Sequence, residues 1–192
     1  LTFSFLWFTY LGTQIGEDFV AANAILINLV FLSAFILDAY AFSTEGIVGY
    51  SLGKKDLNLF KNIVKNSFIL SSISGLIISI IFFFTYNLVI NLMSDINEIR
   101  ELSSSYAVWL IILPVISSFC YQFDGIFIGA SQTKELRNAM IFSVFSYLLI
   151  SILLIKFLFN TGIWISLCIF MILRAVSLFY YLDKIYLRFR KN

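Results

Sequence analysis

The chain has 192 residues, 60% hydrophobic and 12% charged, with a net charge of +2 and a mean hydropathy of +0.94. Soluble domains run roughly 45–50% apolar and about 25% charged, so this composition excludes a soluble globular fold. Histidine is absent, which removes the usual imidazole metal ligand and proton carrier. No basic stripe interleaved with exposed aromatics supports nucleic-acid binding.

Several apolar runs of about 20 residues predict an all-α, polytopic transmembrane bundle of six helices. The first, at about 1–13, is short of a full span. It begins with Leu rather than Met and lacks a basic leader, so it reads as the end of a helix whose start is missing, in a piece of a longer chain. Polar residues 14–18 lead to a second helix at about 19–52. It is expected to kink or leave the membrane near Gly46, Gly49 and Gly53, whose small surfaces also suit close helix–helix approach. Residues 54–65 (KKDLNLFKNIVK) read as a basic interfacial connector with Leu57, Phe60 and Val64 on one face. The third helix is expected at about 66–86, with 87–93 as an apolar tail along the interface.

Ser94 is the expected N-cap of a fourth helix at about 96–129. That helix holds the single proline, Pro114, where a lost backbone hydrogen bond predicts a kink. The fifth and sixth helices fall at about 138–159 and 163–182, joined by a turn at 160–162. Residues 183–192 read as a basic interfacial end.

Six spans place the loops alternately on two sides. One side collects Lys54, Lys55, Lys61, Lys65, Lys134, Arg137 and Lys184, with Arg188, Arg190 and Lys191 of the tail. The other holds Arg100, and Lys156 at a helix end, against Glu17, Asp18, Asp95, Glu98 and Glu101. The positive-inside rule makes the first side cytoplasmic, with the C-terminus inside.

Four charges fall at membrane depth: Asp38, Glu45, Asp124 and Arg174. A carboxylate there costs roughly 2.5–3.5 kcal/mol on insertion scales, which makes each one a candidate for function. Seven residues separate Asp38 from Glu45, about two helical turns, so both point to nearly one face. Asp38 and Asp124 read as groups able to hold a proton or Na⁺ or to attract a cationic solute, with a structural ion pair as the alternative. Glu45 reads either with them or as a solvated headgroup-level charge. Arg174 either snorkels or neutralises a carboxylate. Cys120 and Cys168 both lie in apolar runs and read as small core residues. No nucleophile–base pair, metal-ligand cluster or phosphate-cradling glycine loop supports an enzyme.

The runs LDAYAFSTEGIVGYSLGKKD (residues 37–56) and LPVISSFCYQFDGIFIGASQTKELRNA (residues 113–139), with the Leu173–Arg174 pair, resemble the multidrug and toxic compound extrusion (MATE) family, most closely its DinF-like branch. The resemblance extends over residues 1–192. It implies one domain, the C-terminal six-helix lobe of a twelve-helix secondary antiporter in the inner membrane. Such a protein expels cationic or amphipathic compounds in exchange for H⁺ or Na⁺, without a bound cofactor or metal. The implied partners are an N-terminal six-helix lobe, a small cationic or amphipathic substrate and the lipid bilayer. Asp124 matches the tenth-helix acid that other branches use in a C-lobe cation site, and Asp38 and Glu45 match acids of the DinF-like eighth helix. The resemblance also implies that the branch's proton-coupling aspartate lies on the first helix of the other lobe. Phe119, Tyr121, Phe123 and Phe127 are the expected aromatic lining. The alternatives are a truncated, non-transporting membrane remnant or subunit, and a lipid-precursor flippase.

Overall fold

In the computed structural model, which describes residues 2–190, every regular element is a helix: α1 (Thr2–Thr13), α2 (Glu17–Gly53), α3 (Leu57–Met93), α4 (Asn97–Ser105), α5 (Val108–Gly129) and α6 (Thr133–Arg190). Four of these, α2, α3, α5 and α6, are long and apolar enough to cross a membrane. Large apolar side chains such as Phe35, Phe84, Leu92 and Phe157 point outward, as expected where the bilayer is the solvent.

Helix α6 is a hairpin, not a rod. Its backbone leaves helical geometry at Phe159 (φ 49°, ψ −131°). The rings of Tyr147 and Phe170 then meet at 5.5 Å, and Lys184 Nζ reaches Glu135 Oε1 at 3.1 Å. In one straight helix the first pair alone would stand about 35 Å apart at 1.5 Å per residue. The two arms, 133–158 and 160–190, join α1, α2, α3 and α5 to make six apolar segments. The turn lies at Phe159, one residue before the expected 160–162.

Several boundaries depart from the sequence reading. Helix α2 runs unbroken to Gly53, so of the two alternatives expected near Gly46, Gly49 and Gly53, a kink or an exit from the membrane, the helix shows no break. The supposed connector 54–65 is a three-residue turn followed directly by α3. The Asp56 side chain accepts from Leu59 N at 2.9 Å, capping that helix, and Phe60 is buried between the rings of Tyr186 and Phe189. Residues 87–93 continue α3. At 37 residues each, α2 and α3 are about 55 Å long, well beyond the hydrocarbon thickness of ~30 Å, so both project past it. Residues 183–190 likewise continue α6, with Ile185 buried. The expected tail residues Lys191 and Asn192 lie outside the described residues, as does Leu1.

The expected fourth helix is two. Ser103, Ser104 and Ser105 are weak helix formers whose hydroxyls compete for backbone groups, and the Ser105 hydroxyl donates to Glu101 O at 2.9 Å. Tighter bonds from Tyr106 N to Ser103 O and from Ala107 N to Ser104 O close the break. Ser94 does not cap α4: it ends α3, while Ile96 occupies the α4 N-cap position without a side-chain bond. Arg100 ties this loop down by donating to the carbonyls of Asn91 and Ser94.

Pro114 sits within a continuous α5. Ser79 of α3 donates to Ile111 O at 2.6 Å and Ser117 to Leu113 O at 2.7 Å, so side chains reach the carbonyls around the proline. The tightest helix crossings are set by glycines of α5; of the α2 glycines only Gly49 joins in, facing the Gly129 carbonyl across the crossing. A Cβ on Gly125 would run into the Ala41 carbonyl and one on Gly129 into that of Glu45, whereas Gly46 and Gly53 face open space. At the opposite end, Asn23 and Asn160 exchange amide hydrogen bonds of 2.6 and 3.1 Å. Trp164 Nε1 adds a third, to Asn23 Oδ1 at 3.0 Å, and pins α2 to the start of the second α6 arm.

Candidate functional site

Helices α1 and α2 diverge to leave a groove of about 510 Å³. From α2 it is lined by Ile27, Phe31, Ala34, Phe35 and Asp38, a stripe at helical spacing, and from α1 by Thr2, Phe5, Leu6 and Thr9. Phe5 and Phe31 meet edge-to-face at 4.7 Å. Tyr121 of α5 closes the end beside Asp38. Asp38 is the single charged residue of this lining. It is half-buried and forms no ion pair among the described residues.

Behind it, Arg174 of the second α6 arm donates to Asp124 of α5 at 2.5 Å, with their side chains only 6% and 12% exposed. Arg174 therefore does not snorkel. The crossing of α5 over α2 at Gly125 and Ala41 carries Asp124 toward α2. Asp38 lies within electrostatic range of both members of the pair. Among the described residues Asp124 Oδ1 and Arg174 Nε and Nη1 are buried without a nitrogen or oxygen hydrogen-bond partner, and the Cys120 thiol lies against the Arg174 guanidinium. Polar contacts continue along α2: the Thr44 hydroxyl donates to Gln122 Oε1 at 2.9 Å, and the Ser74 hydroxyl to Tyr40 Oη at 2.8 Å.

The structure thus brings Asp38, Asp124 and Arg174 into one neighbourhood and leaves Glu45 apart. Glu45 packs its backbone on Gly129, lies outside the groove and joins no ion pair among the described residues. Pro114 serves α3–α5 packing, its carbonyl lying over Gly75.

The expected aromatic lining is corrected in two of four places: Phe127 is fully buried and Phe123 is buried against Phe68 and Phe179, while Phe119 is exposed and stacks on Phe68 outside the groove and Tyr121 reaches it. The rings that do line it, Phe5, Phe31 and Phe35, escaped sequence reasoning because their pairing depends on how α1 leans on α2. The stripe 27–31–34–38 was the available signal. Among the described residues no group of three or more His, Cys, Asp or Glu side chains is placed to hold a metal ion.

Comparison with known proteins gives two findings. The MatE family model matches residues 1–157. DNA damage-inducible protein F of Escherichia coli is 32% identical over 170 residues, 88% of this chain and 37% of that protein. The chain therefore spans little more than a third of the length of this relative.

Proposed function

The chain belongs to the MatE family, a family of transporters rather than enzymes, and on that premise we propose that it is the C-terminal lobe of a cation-coupled efflux antiporter. In this reading it pairs with a six-helix N-terminal lobe across a central cleft, and the α1–α2 groove faces that cleft. The substrate is a small cationic or amphipathic compound, exchanged for H⁺ or Na⁺ as the lobes rock.

One observation carries the reading: Asp38, without an ion pair among the described residues, opens on an aromatic groove. The carboxylate supplies charge attraction, while Phe5, Phe31 and Tyr121 offer π faces and apolar contact to an organic cation. Among the described residues lining the groove there is no Arg or Lys, which disfavours an anionic lipid precursor as cargo.

The exposed Lys54, Lys55, Lys61, Lys65, Lys134 and Arg137 support a cytoplasmic placement for the α2–α3 and α5–α6 turns and the C-terminus, within the inner membrane. The test is binding of a fluorescent quaternary ammonium dye to the purified chain. Asp38→Asn should weaken binding at least tenfold and Asp38→Glu should largely retain it. Equal affinity in the wild type and Asp38→Asn removes Asp38 from the function.

A further inference from the structure

Asp38, Asp124 and Arg174 together carry one net negative charge, and the geometry distributes it unevenly. Asp38 opens on the groove without an ion pair among the described residues, while Asp124 and Arg174 are closed in on each other. We propose that Arg174 is a tethered counter-cation: its guanidinium holds at Asp124 the place a mobile cation would take, so of the two aspartates Asp38 alone loads a cation. The proposal rests on the reading of Asp38 as the cation-binding carboxylate.

Three features support it. First, the pair is short and enclosed: Arg174 Nη2 and Asp124 Oδ2 are 2.5 Å apart, and neither side chain reaches the groove lining. Second, what remains around Asp124 is the wrong chemistry for a metal cation. Hard cations are held by several oxygens, whereas among the described residues Asp124 has one oxygen, Oδ1, without a hydrogen-bond partner and the other taken by the Arg174 guanidinium. A second positive charge there meets the guanidinium already seated on the carboxylate. Third, the pair sits where three elements converge. Asp124 precedes Gly125 at the tight α5–α2 crossing, and Arg174 comes from the second α6 arm, beside the buried Met171 and Leu178. Arg174 cannot be drawn aside without disturbing that packing, so its charge acts as a fixed part of the site.

The test is thermal unfolding of the purified chain in detergent, in NaCl against N-methylglucamine chloride at equal ionic strength. A cation that binds the folded state raises Tm by mass action. Arg174→Gln should gain a Na⁺-dependent rise in Tm beyond that of the wild type. The gain should vanish in the Arg174→Gln/Asp124→Asn double variant, and Arg174→Lys should restore wild-type behaviour. A purely structural Arg174 would lower Tm equally in both salts, and that result overturns the proposal.

A second measurement holds even where Arg174→Gln fails to fold. Radiolabelled Na⁺ binding should be measurable in the wild type and equal in Asp124→Asn; weaker binding in Asp124→Asn, or none in the wild type, overturns the proposal. Unchanged binding in Asp38→Asn counts instead against Asp38 as the loading carboxylate, so the two failures are distinguishable.

Discussion

Gly125→Ala tests the helix packing on which the site depends, with Gly46→Ala as its internal control. A Cβ built on Gly125 would stand 2.9 Å from the Ala41 carbonyl carbon and closer still to its oxygen. Ordinary carbon contacts lie at 3.5–4.0 Å, so α5 and α2 must separate by at least about 0.6 Å. The neighbour is backbone in mid-helix, which has no rotamer to change. Overpacking of this kind costs about 1–3 kcal/mol. Gly46, on the same face of the sequence argument but open in the structure, meets nothing within 4 Å. Alanine there should be neutral or stabilise by up to about 1 kcal/mol through helix propensity. Reversible unfolding in mixed micelles, monitored by tryptophan fluorescence, reads both. Equal losses in the two variants, or a neutral Gly125→Ala, would refute the assignment of the close crossing to α5.

Asn23→Ala removes the acceptor of Trp164 Nε1 and the partner of Asn160 in a buried site. It should cost about 1–3 kcal/mol in the same unfolding assay, whereas an unchanged midpoint would show that the amide pair contributes nothing. Phe60→Ala empties a fully buried position between Tyr186 and Phe189 and should cost about 3–5 kcal/mol. A loss below about 0.5 kcal/mol, the usual scale for surface changes, would return residues 54–65 to an interfacial connector.

The gross architecture was legible because the bilayer imposes one rule: apolar runs of spanning length become helices. What length and hydropathy do not encode is where a helix stops. Helices α2 and α3 run through KKDLNLFKNIVK with a three-residue interruption, because Phe60 and Val64 have a buried surface on the second α6 arm. That surface exists only after α6 has folded back at Phe159. The α4–α5 break had a local cause in the serine run, but Pro114 was the louder signal and drew the expected kink to itself.

The site was legible in its charges and not in its pairing. Carboxylates at depth flagged Asp38 and Asp124, and Arg174 was open to reading as a partner, yet no spacing tells which acid an arginine 50 residues away will choose. Gly125, whose missing side chain lets α5 settle onto α2 at Ala41, fixes where α5 presents the neighbouring Asp124. Glu45 shares a helical face with Asp38 by count. Gly129 against its backbone instead places it in the helix crossing, away from the groove.

The central claim is that this lobe serves cation efflux through Asp38. Its most direct test is ion-coupled efflux of a fluorescent organic cation from vesicles, with the chain expressed alone and together with a six-helix N-terminal lobe. Efflux that needs the partner lobe, and falls at least tenfold in Asp38→Asn while membrane insertion is unchanged, is the predicted result. Undiminished efflux in Asp38→Asn, or none with the partner lobe present, would contradict the account.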